Sequence, residues 1–250
     1  VVSSVVLLAM LPACASRLPP AAQAPAAAKP ANTARVASAA TEAAVVATTG
    51  ELLPPMPIAV TSFGAASDAS HAYVIGGYFG TPHHYSSDGQ ARAVLRIALD
   101  GSGGWETIAQ LEHGLQGLAS VIHRQELCRF GGNSVRNTRD QPADLHSVRE
   151  AACLDLATRR WRSLPDLPSG RSSHDAALVG TTVYLVGGWT LNGDARSGIW
   201  QSSILALDLA RPDAKWVEAA APVQRRALAL AAAGGKLVAI GGLTAERDVS

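Results

Sequence analysis

The sequence has few charged residues, few aromatic residues and no basic run. Charged side chains make up 16% of the 250 residues, aromatic side chains make up 5%, and the formal net charge is +1. Without a Lys/Arg-rich stretch the chain lacks the electrostatic footprint of a nucleic-acid binder, so we predict no nucleic-acid partner. Glycine, by contrast, is abundant, with 23 residues. High glycine and low charge together favour an all-β protein over a helical bundle.

Sequence motifs of common enzyme chemistry are also missing. We find no Gly-rich phosphate loop, no nucleophile elbow and no spaced Cys/His zinc pattern. No segment after residue 50 combines sustained helical periodicity with capping residues. We therefore predict no cofactor and no metal site.

The N-terminal segment is almost entirely apolar. Residues 1–11 contain only two polar side chains, Ser3 and Ser4. The run is too short to span a bilayer and is typical of the apolar core of a secretory signal, although neither an initiator Met nor a basic segment precedes it. The following Leu-Pro-Ala-Cys resembles a bacterial lipobox, in which Cys14 would be lipidated; ordinary cleavage near Cys14 is the alternative. We expect residues 1–15 to direct export, to the periplasm or to an outer-membrane anchor.

Residues 16–50 have the composition of a linker. They are rich in Ala, Pro, Thr and Ser and contain no aromatic residue. Four prolines break any helix there and favour extended chain: Pro19, Pro20, Pro25 and Pro30. We predict a flexible tether, so that any membrane contact would come only through a lipid anchor.

Residues 51–250 contain an internal repeat. Adjacent glycines end four similar apolar runs, at spacings of 55, 56 and 54 residues: Gly76-Gly77, Gly131-Gly132, Gly187-Gly188 and Gly241-Gly242. Two further landmarks keep the same period and order, a Leu-Asp pair and then a tryptophan: Asp100, Asp155 and Asp208, then Trp105, Trp161 and Trp216. Three landmarks with one period predict units near 53–113, 114–169, 170–223 and 224–250.

Each unit has the pattern of four short strands. In the third unit we predict strands at 174–179, 182–187, 203–208 and 215–219, separated by turn residues. A period near 50 with four strands, a diglycine and a following Trp resembles the kelch repeat. The resemblance implies an all-β, kelch-type β-propeller with three full blades and a partial fourth. The glycines would allow close approach of a neighbour, and the Trp would fill that space.

Kelch propellers usually close with six or seven blades. At about 55 residues per blade, a six-bladed ring needs roughly 330 residues. We therefore expect this chain to be a fragment that forms an open arc with an exposed strand edge.

The same topology places the candidate site. Loops after the diglycines and residues that open each unit share one face, and such loops carry binding residues more often than packing residues. The candidate ligand-binding residues are His83, His84, Tyr85, Gln116, Arg171, His174, Trp189, Arg225 and Arg226. Of the pair Arg225 and Arg226 we expect one to face the central axis and the other a neighbouring blade. Arg171 together with one of them could clamp a carboxylate.

Two functions fit this arrangement. The first is a binding module that recognises a glycan or an envelope protein through the loops. The alternative follows from the resemblance to exported sialic-acid epimerases (mutarotases) of the kelch family. In that case Arg171 or Arg226 would hold a carboxylate, and His84 or His174 would transfer protons. The related galactose oxidase binds copper through Tyr and His and carries a Tyr–Cys crosslink, but the four tyrosines and three cysteines here give no basis for copper.

Cys128 and Cys153 fall on adjacent predicted strands of one unit. Export would permit a disulfide between them. The strand register is not determined by the sequence, and we favour two buried free thiols over a pair.

Overall fold

The computed structural model describes residues 5–8, 52–221 and 224–247. Cys14 and most of the predicted signal and linker segments lie outside these residues. The described part of the chain is built from β-strands and three short 3-10 helices, at Ser87–Gly89, Ala195–Ser197 and Ala245–Arg247. No helix in it is long and apolar enough to cross a membrane.

The strands form four successive blades. After β1 (Val5–Leu8), blade 1 contains β2 (Gly64–Ser67), β3 (His71–Ile75), β4 (Ala93–Ala98) and β5 (Glu106–Gln110). Blade 2 contains β6 (Ala119–His123), β7 (Glu126–Phe130), β10 (Ala151–Asp155) and β11 (Trp161–Ser163), with β8 (Asn133–Val135) and β9 (Leu145–Ser147) in the loop after β7.

Blade 3 and the partial blade 4 continue the pattern. Blade 3 contains β12 (Ser172–Val179), β13 (Thr182–Thr190), β16 (Ser203–Asp208) and β17 (Val217–Ala220), with β14 (Asn192–Gly193) and β15 (Ile199–Trp200) in its loop. Blade 4 contains β18 (Arg226–Ala233) and β19 (Lys236–Leu243). The four strands predicted for the third unit are confirmed, and the observed ends differ from the predicted ends by three residues or fewer.

Every blade is an antiparallel meander, with its strands paired in chain order. Side chains alternate between buried and partly exposed along β16, as expected for a strand between two packed layers. The first strands of neighbouring blades lie side by side, β2 beside β6, β6 beside β12 and β12 beside β18. They line the central axis, and the described blades do not close the ring.

The diglycines join each blade to the next. The amide of the second glycine donates to a carbonyl of the following blade: Gly77 to Leu115 at 2.8 Å, Gly132 to Arg171 at 2.8 Å and Gly188 to Arg225 at 2.7 Å. The first glycine faces that same carbonyl so closely that no Cβ fits at Gly76, Gly131 or Gly187. The predicted close approach is therefore confirmed, and the neighbour is backbone.

The once-per-blade tryptophan does not fill that space, which corrects our prediction. The side chains nearest the first glycines are Leu111 at Gly76, His174 at Gly131 and Leu228 at Gly187. Each tryptophan instead donates its indole N–H to a carbonyl 51 residues earlier, from Trp105 to Pro54 at 2.9 Å, Trp161 to Gln110 at 3.1 Å and Trp216 to Pro165 at 2.8 Å. The tryptophan therefore connects the outer part of its blade, through this hydrogen bond, to the segment that precedes the blade in the chain.

The apolar core consists of one cluster at each junction between blades. The cluster between blades 2 and 3 contains Phe130, Leu185 and Leu205, all almost fully buried. A four-stranded sheet buries both faces only against neighbours, so each junction stabilises two blades. The cluster also contains Cys128 and Cys153, which pair directly across β7 and β10 and form a disulfide. Our expectation of two free thiols was wrong, because the register places the two residues opposite one another.

β1 pairs antiparallel with β19, from Val5 opposite Ile240 to Leu8 opposite Leu237. It therefore covers the strand edge that we expected to be exposed. The segment falls within the predicted signal, and its export function stays a prediction.

Candidate functional site

Three loops after the diglycines form one surface, which we call the loop face. Loop 1 covers residues 78–90, loop 2 covers residues 133–148 and loop 3 covers residues 189–202. In loop 2, β8 and β9 form a hairpin, and β14 of loop 3 pairs with β9 to extend it across the blade junction. Leu191 and Ser147 reinforce that junction with hydrogen bonds of 2.9 and 3.0 Å.

Loop 1 is joined to loop 2 by side chains. The buried amide of Gln90 donates to the Asn133 carbonyl at 2.9 Å and accepts from the Val135 amide at 2.8 Å. Asn137 donates to the Tyr85 carbonyl at 2.8 Å. Because these bonds satisfy buried polar groups at both ends, they fix the loops relative to each other.

Tyr85 and Trp189 pack against the same group of apolar side chains in the loop face. They contact a small apolar cluster of Val135, Leu145 and Leu191, which comes from loops 2 and 3. Burial raises the pKa of Tyr85, followed in effect by the nearby Tyr78. Two predicted binding residues from loops 1 and 3 therefore meet in one place.

Arg226 lies over the Trp189 ring. Its guanidinium carbon is 4.0 Å from the centroid of that ring and 5.4 Å from the centroid of Trp200. Such stacking contributes about 0.5–2 kcal/mol, depending on desolvation. Arg226 opens blade 4 and Trp189 belongs to blade 3, so the prediction that one arginine of the pair faces a neighbouring blade is confirmed. Arg225 faces its own blade, where it donates to the Gly241 carbonyl at 2.9 Å, and not the axis.

His83 and His84 lie exposed at the tip of loop 1. Tyr78 holds the loop from below, donating its hydroxyl to the His84 carbonyl at 2.6 Å and accepting from the Ser86 amide at 3.2 Å. The His83 ring is 6.3 Å from the Tyr85 ring. The two histidines are therefore available to a partner, with backbone positions set by Tyr78.

Arg171 is a structural residue, which corrects its predicted role in a carboxylate clamp. Its side chain is fully buried and donates to the Ser203 carbonyl at 3.0 Å, the Ser203 hydroxyl at 2.7 Å and the Gln201 side chain at 3.1 Å. Burial lowers its pKa to about 10. Both of its terminal nitrogens, Nη1 and Nη2, donate within blade 3, so the guanidinium does not join Arg226 at a ligand. Gln116 is also buried, paired through its backbone with Asn133.

His174 lies at the start of β12, beside the depression that the first strands of the blades line, and its side chain is buried between blades 2 and 3. It pairs with Gly187 across the hairpin, at the position that Leu228 occupies opposite Gly241, and it contacts Gly131 of the preceding blade. Burial, followed by the charge of Arg171, lowers its pKa to about 3. A neutral imidazole at a leucine position serves as packing, so His174 is not a candidate for proton transfer.

We expect His174→Leu to raise the free energy of unfolding by about 1–2 kcal/mol at pH 7, because it removes a buried polar ring. The native pKa lies below the ordinary value of 6.5, so the wild-type loses stability as the pH falls below 6.5 towards 3. The variant should lack this loss, which is at most about 1.4 kcal/mol per pH unit. Urea unfolding of the wild-type chain and the variant at a series of pH values measures this difference. Equal changes of the free energy of unfolding with pH would contradict a buried, neutral His174.

Tyr78, Trp200 and Gln90 belong to this site but were not predicted. Tyr78 and Trp189 both follow a diglycine, so the position itself is a signal that could have identified Tyr78. The contacts of Gln90 cross 43 and 45 residues, and no local pattern marks them.

Among the described residues, one group has donor atoms close enough to hold a metal ion: Glu126, Cys128 and Cys153. Both of these cysteines are in the disulfide, so their sulfurs are not thiolate ligands. The group does not fit a metal site.

Comparisons with known proteins agree with the fold. No protein-family model matches the chain. It is 26% identical over 137 residues to Kelch-like protein 25 of Xenopus tropicalis, a match that covers 54% of this chain and 22% of that protein. It is 30% identical over 109 residues to Kelch-like protein 34 of Homo sapiens, covering 41% and 17%. The matches thus span about a fifth of the length of these curated relatives.

Among solved structures, that of YjhT is similar to this chain, with a TM-score of 0.51 at 14% identity, covering 65% of this chain and 46% of that chain. YjhT is a kelch-repeat propeller. The predicted fold class is therefore confirmed, as is the resemblance to the kelch-repeat family.

Proposed function

We propose that this kelch-repeat propeller is a binding module that recognises a protein partner through its loop face. One observation carries the proposal: hydrogen bonds join three loops from three blades into one surface, and large apolar side chains protrude from it. Phe79 is 46% exposed and Ile199 is 68% exposed. Apolar side chains held in fixed positions on a polar surface are typical of protein recognition sites.

A protein ligand fits this face better than a glycan. Sugar binding by aromatic residues needs an open ring face, but the Trp189 ring lies under the Arg226 guanidinium. Tyr85 is packed against the cluster of Val135 and Leu191. The apolar side chains that protrude, Phe79 and Ile199, suit a partner that brings its own apolar groups.

The disulfide supports export of the chain. Disulfides persist in oxidising compartments such as the periplasm and are rare in the cytosol. Together with the apolar run before Cys14, the Cys128–Cys153 bond favours an exported protein, tethered by a lipid or released. The partner would then be another envelope protein.

The epimerase alternative receives less support from the site. Its two candidates for proton transfer differ in solvent exposure, since His84 is exposed on loop 1 and His174 is buried between blades. Arg171, proposed to hold the substrate carboxylate, is used within blade 3. No pair of the predicted catalytic residues converges on one reacting atom, which general acid–base catalysis requires.

Site-specific photo-crosslinking tests the binding proposal. A crosslinking residue placed at Phe79 or Ile199 of the full chain, expressed in its source cells, should capture a discrete protein. Matched controls at Val217, 66% exposed on β17, and Leu99, 43% exposed after β4, should capture none. The adduct should survive glycosidase treatment of the extract. Equal capture at all four positions would contradict the proposal, and loss of the adduct after glycosidase would indicate a glycan instead.

A further inference from the structure

A cavity lies on the surface opposite the loop face, between blades 2 and 3. Its volume is about 700 Å³, within the range of small-molecule sites. The β6–β7 turn of blade 2 and the β16–β17 connection of blade 3 form its walls, and its apolar surface includes Leu164, Pro165 and Leu209. The loop-face proposal does not use this cleft.

Two nitrogen donors in the cleft lack partners among the described residues. His123 is 5% exposed, and its Nε2 atom makes no hydrogen bond. Arg124, the next residue, is exposed at the rim and has no ion pair or hydrogen bond within the described chain. Burial, followed by the charge of Arg124, lowers the pKa of His123, so that its ring is neutral near pH 7 and can present an N–H at Nε2.

The acidic groups of the cleft, in contrast, are already paired. Glu126 accepts two hydrogen bonds from Arg162, at 2.9 and 2.6 Å. Asp155 accepts from two amides of its own turn, and Asp208 accepts from the Ala210 amide. Arg211, the remaining cation, pairs with Asp213 at 3.4 Å. The unpaired groups, His123 Nε2 and the Arg124 guanidinium, are hydrogen-bond donors, so a ligand that binds them must supply acceptor atoms.

Blades 3 and 4 show that this hairpin closes without either donor. The equivalent hairpins close with Val179 opposite Thr182 and with Ala233 opposite Lys236, where blade 2 has His123 opposite Glu126. The residue after each is left-handed: Gly180 has φ 61° and Gly234 has φ 56°, but blade 2 has Arg124 at φ 57°. Blade 2 thus carries a buried imidazole in place of an aliphatic side chain and an arginine where glycine is favoured.

We propose that the cleft between blades 2 and 3 binds a small organic anion, with His123 Nε2 and the Arg124 guanidinium holding its carboxylate or phosphate group. The apolar surface at Leu164, Pro165 and Leu209 receives the rest of the ligand. A charged acceptor suits both donors, and charge-assisted hydrogen bonds are the stronger kind.

Binding of butyrate, butyl phosphate and inorganic phosphate to the full chain tests the proposal, measured by calorimetry and by the His123 ring resonances. We expect butyrate or butyl phosphate to bind with a millimolar or lower Kd and inorganic phosphate to bind more weakly, since it lacks an apolar part. Preference between the two organic probes distinguishes a carboxylate from a phosphate ligand.

Two variants copy blade 3 and therefore keep the fold: His123→Val and Arg124→Gly. Each should weaken binding at least about tenfold, and Arg124→Gly should also raise the unfolding temperature, since glycine adopts the left-handed turn without strain. Ile199→Ala on the loop face should leave the affinity unchanged. Absence of binding by the wild-type chain, or equal affinity of the wild-type and both variants, would overturn the proposal.

Discussion

Reduction of the Cys128–Cys153 disulfide is expected to lower the free energy of unfolding by about 3 kcal/mol. The bond closes a loop with a sequence separation of 25 residues, and constraint of a loop of that size in the unfolded chain accounts for an effect of about this magnitude. Both residues are fully buried in the cluster between blades 2 and 3. The loss should therefore appear as a shift of the whole unfolding transition, not as local loosening.

Urea unfolding with and without a reductant measures this effect. The control is the double variant Cys128→Ala and Cys153→Ala, whose transition should be the same in both conditions. A non-reduced digest should contain the two cysteines in one linked peptide pair. Coincident transitions for the wild-type chain, or two separate cysteine peptides, would show that the bond does not form.

The fold could be predicted because its signal is local and repeated. Glycine pairs, the Leu-Asp landmark and tryptophans recur with one period, and each reflects backbone geometry that every blade shares. The sequence did not show that the diglycine and the tryptophan make different contacts. Both lie near a blade junction, but only the structure shows that the neighbour of Gly131 is the Arg171 carbonyl and that Trp161 bonds to Gln110.

Part of the geometry of the loop face was predicted, and the binding roles of its residues stay predictions. Tyr85, Trp189 and Arg226 meet on the loop face as expected of residues that differ between repeats. Arg171 and His174 open the third blade, and the direction of a side chain there depends on what the neighbouring blade offers. The hydroxyl of Ser203 accepts a hydrogen bond from Arg171, and the side chain of His174 packs against Gly131. Such contacts join positions far apart in the chain, so no spacing in the sequence indicates them.

Replacement of Gly131 by alanine is expected to lower the free energy of unfolding by about 2–5 kcal/mol. The new methyl group would lie well inside van der Waals contact of the Arg171 carbonyl oxygen, which belongs to the next blade and accepts from the Gly132 amide. Relief of such overpacking by backbone movement costs about 1–3 kcal/mol. The residue also has a φ of 55°, which adds about 1–2 kcal/mol for any L side chain.

The comparison of Gly131→Ala with Gly241→Ala tests most directly whether the diglycine stabilises the contact between neighbouring blades. Gly241 holds the same motif position at φ 69°, but no atom of the described residues lies within 4 Å of a Cβ placed there, because none of these residues forms a following blade against it. Urea unfolding of the two variants should therefore give a loss of only about 1–2 kcal/mol for Gly241→Ala, from the left-handed backbone alone. The loss for Gly131→Ala should be larger by about 1–3 kcal/mol, the cost of the overpacking. Equal losses would mean that the glycines serve the backbone of their own blade and do not join it to the next.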